Sequence, residues 1–243
     1  VLKETTPAKL SGKGKFRGFV DGNGRKLKGL HPALTERIFS AGVLPTIAKY
    51  GSVKRSGWRG KGGGRRRGAA VDSQLSSAVN KGKSKPTKGQ YTLTKLALAA
   101  LAEHKLEPVV SQRAVCDTRR RLGTAIDILC YDSVNNKLVV VELKTGFSGS
   151  KLAAAQRNGK NCKMCEPLDK ATDNVLNRHF AQLTVTRALF ALEKQTILAV
   201  NNLGISAEIG AALLYVNDEM TELYYLSNWW IRREKNLLKN LNF

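Results

Sequence analysis

TAIDILCYD at residues 124–132, followed after the turn SVNN by KLVVVELKT at residues 137–145, reads as two apolar strands joined by a short polar connection. Side chains alternate faces along a strand, so Glu142 and Lys144 project to one side while Val141 and Leu143 project to the other, into a core. Asp127 lies inside the first strand of the pair. Two carboxylates and a lysine within apolar strands destabilise the fold unless something compensates them. A bound divalent cation together with a phosphate substrate would do so. A solvated edge strand is the plainer account of a bare Glu-X-Lys. Here the triplet follows Leu-Val-Val-Val and pairs with an Asp-bearing apolar strand, which points to a site.

The chain has 243 residues, enough for one large domain or one domain with an extension, and its 42% hydrophobic content supports a globular core. Lys and Arg number 41 against 19 Asp and Glu, a net charge of +22. Such a field draws polyanions, and nucleic acid is the expected partner. An anionic membrane surface fits less well, because no long basic amphipathic helix stands out. No apolar run reaches the ~18 residues of a membrane span. Four cysteines, Cys116, Cys130, Cys162 and Cys165, are too few for a disulfide framework in a chain of this length. An intracellular, reducing compartment is the expectation, with nucleus, mitochondrion and virus particle all left open.

Residues 1–67 differ from the rest, with 17 Lys or Arg against three acidic residues. Two of their segments, 11–18 and 54–68, are rich in Gly, Lys and Arg and cannot bury a core of their own. Between them Leu34, Ile38, Val43 and Ile47 have helical spacing, interrupted by Pro45. The expected division is therefore a basic N-terminal arm over 1–67, with a short helical segment, and a main domain over 68–243. In the main domain the apolar periodicity predicts helices over 69–80, 92–104 and 173–193, and strands over 107–116, 124–132, 137–145, 211–216 and 222–226. A short helix before Gly204 and a C-terminal helix over 228–241 complete it, and residues 146–172 read as an irregular basic excursion. The fold class is α/β, a mixed sheet flanked by helices.

Asp127, then Glu142-Leu-Lys144 in the next strand, then a helix carrying Gln182, resembles the PD-(D/E)XK nuclease superfamily. Within it the chain is most similar to the RecB-like branch of λ-exonuclease-type and Cas4-type enzymes, over about residues 65–227. The resemblance implies a restriction-endonuclease-like core and Mg²⁺-dependent hydrolysis of phosphodiester bonds, with Mn²⁺ as a substitute metal. It implies an exonuclease acting in DNA replication, repair or recombination. Asp127, Glu142 and the main-chain carbonyl of Leu143 would hold the metal. Asp72 stands where the family places a further Glu or His ligand. Lys144 would orient the nucleophile or stabilise charge on the phosphate, and Gln182 would orient Lys144 or the substrate. Thr186 stands where the branch has a tyrosine, and Arg187 beside it could touch a phosphate instead.

Basic segments flank this constellation: Arg65, Arg66 and Arg67 before the Asp72 helix; Lys81, Lys83, Lys85 and Lys88 in a loop; Lys151, Arg157, Lys160 and Lys163 after the catalytic strand. Phosphate contacts of this kind carry no sequence information, so DNA binding without sequence specificity is expected. Trp58 could stack on a base or pack on the main domain. Cys162-Lys-Met-Cys165 has the C-X2-C spacing of zinc and iron–sulfur sites, and zinc held by Cys162, Cys165 and His179 is the alternative to no cluster. Other functional readings are a structure-specific endonuclease, a catalytically silent nuclease fold that binds nucleic acid, and an RNA-binding protein with a glycine–arginine arm. No phosphate-binding P-loop and no Gly-X-Ser-X-Gly is present.

Overall fold

The computed structural model describes residues 8–11, 18–40, 64–83, 85–145, 162–193, 202–217 and 221–242. The elements are β1 (Ala8–Ser11), β2 (Gly18–Asp21), β3 (Lys26–Gly29), α1 (Leu30–Arg37), α2 (Gly64–Asn80), α3 (Thr92–Glu103), β4 (Leu106–Asp117), β5 (Leu122–Asp132), β6 (Lys137–Thr145), α4 (Val175–Ala191), β7 (Ser206–Val216), β8 (Thr221–Tyr225), α5 (Asn228–Ile231) and α6 (Glu234–Asn240). The eight strands form one mixed sheet in the order β1-β2-β3-β5-β6-β7-β8, with β4 also paired to β5. Helices cover both faces, as the apolar pattern requires: β6 and the inner part of β7 are buried almost throughout, which a sheet open to water on one side would not allow.

Each helix layer follows from its own spacing. α2 presents Val71, Leu75 and Val79, and α3 presents Leu93, Ala97, Leu98 and Leu101. Together they cover Ile128, Cys130, Val139, Val141 and Leu143. On the opposite face α1, α4, α5 and α6 bury Leu30, Leu34, Leu183, Leu189, Phe190, Trp230 and Leu237 against Leu138, Val140, Leu213 and Tyr215. α4 starts at Asn174, whose side chain accepts from the Asn177 amide at 2.8 Å, one of the donors a helix N-terminus leaves open.

The described part of residues 1–67 joins the sheet and the core. β3 pairs in parallel with the start of β5 through Lys28↔Leu122 and Gly29↔Gly123. Leu30, Ala33, Leu34, Ile38 and Phe39 are buried. Asp173 closes the junction between α1 and α4: its carboxylate accepts from the Ser40 amide and hydroxyl, each at 2.6 Å, and pairs in bidentate fashion with Arg178, which lies over the Phe39 ring at 4.6 Å. Bidentate arginine–carboxylate pairs fix geometry as well as energy.

The expected C-terminal helix is two short helices broken at Arg232 and Arg233. β7 starts five residues earlier than the apolar run alone predicts, at Ser206. Among the described residues no helix is long and apolar enough to cross a membrane. Trp58, Val43, Ile47, Lys151, Arg157 and Lys160 lie outside the described residues.

Candidate functional site

The site grows from a fork in the sheet. β5 and β6 pair from Asp132↔Lys137 to Ile128↔Val141, and there their ladder ends. β6 continues alongside β7 to Thr145↔Val216, and β5 continues alongside β4 to Leu122↔Asp117. Asp127 and Glu142 are the first residues past the last shared rung. A strand amide beyond a ladder needs another acceptor. Leu143 finds one in the side chain of Asp127, donating to Oδ2 at 2.9 Å. One aspartate thus caps the opening and is fixed by it.

Glu142 is 3% exposed, and its Oε1 accepts from Lys144 Nζ at 2.6 Å and from Gln182 Nε2 at 2.7 Å. Gln182, on α4, also accepts from Lys144 Nζ at 3.3 Å, closing a three-membered ring of contacts. From the other layer, α2 brings Asp72. Its N-terminal half can approach because Gly68 has no side chain: a Cβ there would stand 2.9 Å from Thr145 Oγ1 at the end of β6. Asp127, Glu142, Leu143, Lys144, Gln182 and Asp72, separated by up to 110 positions in the chain, are brought to one place.

The electrostatics are strained toward cation binding. The Asp127 carboxyl is held well above its ordinary value of 3.8, first by burial and then by the negative charge of Glu142 and Asp72, against the pull of Lys144 and the Leu143 amide. Burial works to lower the Lys144 ammonium, but Glu142 and Asp127 outweigh it and raise the group, so Lys144 carries its charge at neutral pH. Among the described residues no group of three or more His, Cys, Asp or Glu side chains is spaced to hold a metal ion. The donors at the fork are nonetheless all hard oxygens. Mg²⁺ is commonly held by one or two carboxylates, with waters and substrate phosphate completing its shell, so the residues present fit that cation.

Two polar residues that the sequence reading did not single out also belong here. Gln112 on β4 donates from Nε2 to Asp72 Oδ1 at 2.9 Å and to Asp127 Oδ1 at 3.4 Å. His31, in the first turn of α1, keeps contact with solvent but loses part of its hydration to the neighbouring elements, and its pKa is lowered first by that desolvation, then by the positive charges of Lys144 and Arg178, with Glu142 opposing. A lone glutamine in an apolar strand gives no local signal, and His31 lies about a hundred residues from Glu142-Leu-Lys144.

The remaining expected contacts separate. Arg65 and Arg66 lie in the first turn of α2. Arg67 is 7% exposed. Arg187 donates to the Ile209 carbonyl at 2.7 Å and pairs with Glu234 of α6, so its placement is structural and gives no support to a phosphate contact. Lys81, Lys83, Lys85 and Lys88 are exposed. Their loop folds back along α2, where Gln74 accepts from the Tyr91 amide at 2.6 Å and donates to the Gly89 carbonyl at 3.4 Å. Gln74 and Asp72 are two positions apart on α2, so their side chains leave the helix on different sides and the lysine loop is tied to a face other than the one that carries Asp72.

His179 has its Nδ1 2.6 Å from the Tyr215 hydroxyl, and its pKa is driven well below 6.5 by burial and then by Lys144, His31 and Arg178. Cys162 is half-buried and Cys165 exposed, both as free thiols, and Lys163 between them is exposed and bridges to Thr172. Cys116 and Cys130 are buried in strands, with burial pushing the Cys116 thiol up to about 11 and the Cys130 thiol higher still. Neither is poised as a nucleophile.

Compared with models of known protein families and with curated proteins, the chain matches none.

Proposed function

We propose that this protein is a Mg²⁺-dependent deoxyribonuclease with a restriction-endonuclease-like core, acting as an exonuclease on DNA without sequence specificity. The observation that carries the reading is the convergence at the β5–β6 fork of Asp127 with the Glu142–Lys144–Gln182 ring. Mg²⁺, held by Asp127, Glu142, the Leu143 carbonyl and Asp72, would supply a Lewis acid for the phosphate and lower the pKa of an attacking water.

The chain's own residues supply the rest. Lys144, kept protonated by Glu142 and Asp127, faces the negative charge that grows on the phosphate oxygens, and a fixed cation largely withdrawn from solvent is worth more there than one in water. Gln182 holds both Lys144 and Glu142, which limits rotamer motion at the moment of reaction. The net charge of +22 supports a polyanionic substrate.

The test of exonuclease action is digestion of end-labelled linear duplex beside a covalently closed circle in Mg²⁺. Loss of the linear form alone is expected. Cutting of the circle would move the reading to an endonuclease, and tight DNA binding without cleavage would make the fold a silent binding module.

A further inference from the structure

Gln112 has an unusual backbone for its setting. Its φ is +55°, inside a long antiparallel strand. That left-handed conformation is unfavourable for a non-glycine residue and persists only where the surroundings enforce it. Here they do. Just before it, Ser111 donates its amide to Asn80 Oδ1 at 2.9 Å and accepts from Asn80 Nδ2 at 3.2 Å, so a side chain of α2 covers the free edge of β4. The Ser111 hydroxyl lies 2.8 Å from that of Ser76 and donates to the Asp127 carbonyl. On either side the ladder is regular, Ser111↔Ile128 and Arg113↔Ile126, so Gln112 stands opposite Asp127.

The pair marks a change of face in both strands. Val110 and Val115 share the layer under α1 and α4 although they stand an odd number of positions apart, and so do Ile126 and Leu129, while Ile128 lies in the other layer. Simple alternation cannot give that pattern. At the slip the side chains of Gln112 and Asp127 leave the two apolar layers and meet at the fork. There the Gln112 carboxamide reaches Asp127 of the sheet and Asp72 of α2.

We propose, resting on the nuclease reading, that Gln112 is a positioning residue: its carboxamide ties Asp72 to Asp127 so that both carboxylates face one divalent cation. The amide is neutral and takes one lone pair from each Oδ1, leaving the other lone pairs of those ionised carboxylates for a metal. With Leu143 donating to Oδ2, both oxygens of Asp127 are then oriented. Outer partners of this kind typically account for 10–100-fold in metal affinity.

The experiment is calorimetric titration of the full chain with Mn²⁺, without nucleic acid, for wild type, Gln112→Asn, Gln112→Gly and Asp127→Asn. Asparagine and glycine both accept a left-handed φ, so these two variants remove the bridge while keeping the backbone. Expected is roughly 10–100-fold weaker Mn²⁺ binding in both, with an unfolding midpoint in EDTA close to wild type. Mn²⁺ affinity that is unchanged in both variants overturns the proposal, and tighter binding does so too, because the amide would then be competing with the cation. If wild type binds Mn²⁺ and Asp127→Asn abolishes binding while the Gln112 variants bind normally, this proposal fails and the nuclease reading stands. A wild type that binds no Mn²⁺ overturns both.

Discussion

Replacing Asp127 by asparagine should change how stability depends on pH, and the direction follows from the site. In the folded, metal-free protein this carboxyl is held well above 3.8 by burial and by Glu142 and Asp72. The unfolded chain restores the ordinary value. Between the two values the native state binds more protons than the unfolded state, so stability falls as pH rises. The contribution is complete below 3.8 and is lost as pH climbs through the raised folded value. While the difference is a whole proton, the slope is about 1.4 kcal/mol per pH unit. Asparagine has nearly the same shape and does not titrate, so the slope should flatten.

His31 and His179, both lowered, contribute with opposite sign as pH falls through 6.5, but they are present in both proteins and cancel in the difference. The assay is urea unfolding in EDTA at half-unit steps from about pH 5 to 8. Wild-type stability minus that of Asp127→Asn should decline with pH. Two parallel profiles across that range would refute the electrostatic description of the fork.

Other outcomes follow from the same contacts. Arg178→Ala leaves Asp173 buried without its partner and should cost roughly 3–5 kcal/mol in denaturant unfolding, since the two side chains are 8% and 0% exposed. Changing Lys81, Lys83, Lys85 and Lys88 to alanine together should reduce the slope of log DNA affinity against log salt by up to about 0.9 for each lost phosphate contact, measured by fluorescence anisotropy; an unchanged slope would remove the loop from the DNA path. Arg187→Ala, by contrast, should lower the unfolding midpoint and leave that salt slope alone, because Arg187 is engaged with Glu234 and the Ile209 carbonyl.

Long, strongly periodic elements were legible from sequence: α2, α3, α4 and the strands β4 to β8 match their apolar patterns within a few residues. Glu142, Lys144 and Asp127 were legible because charges inside apolar strands stand out. β1, β2 and β3 were not, since each is four residues long and made mostly of polar or small residues such as Lys26, Lys28 and Gly29. Their pairing comes from the edge of β5 and from Gly123, where a Cβ would stand 2.9 Å from that of Phe19, and neither is a local property. Gln112 was invisible for a related reason. Its role depends on a left-handed φ imposed by Asn80 and Ser76, and on a change of face that only the paired strands display. The Glu234 partner of Arg187 was not legible, because a basic residue near a site reads the same in sequence whether it faces a phosphate or a carboxylate.

The most direct test of the central claim is single-turnover cleavage of a labelled DNA duplex in Mg²⁺ by wild type, Lys144→Ala and Asp127→Asn, with EDTA as control. Metal-dependent cleavage by wild type is expected, with a loss of at least about 100-fold in rate for each variant and DNA affinity retained. Cleavage at the wild-type rate by either variant, or cleavage that persists in EDTA, would contradict it.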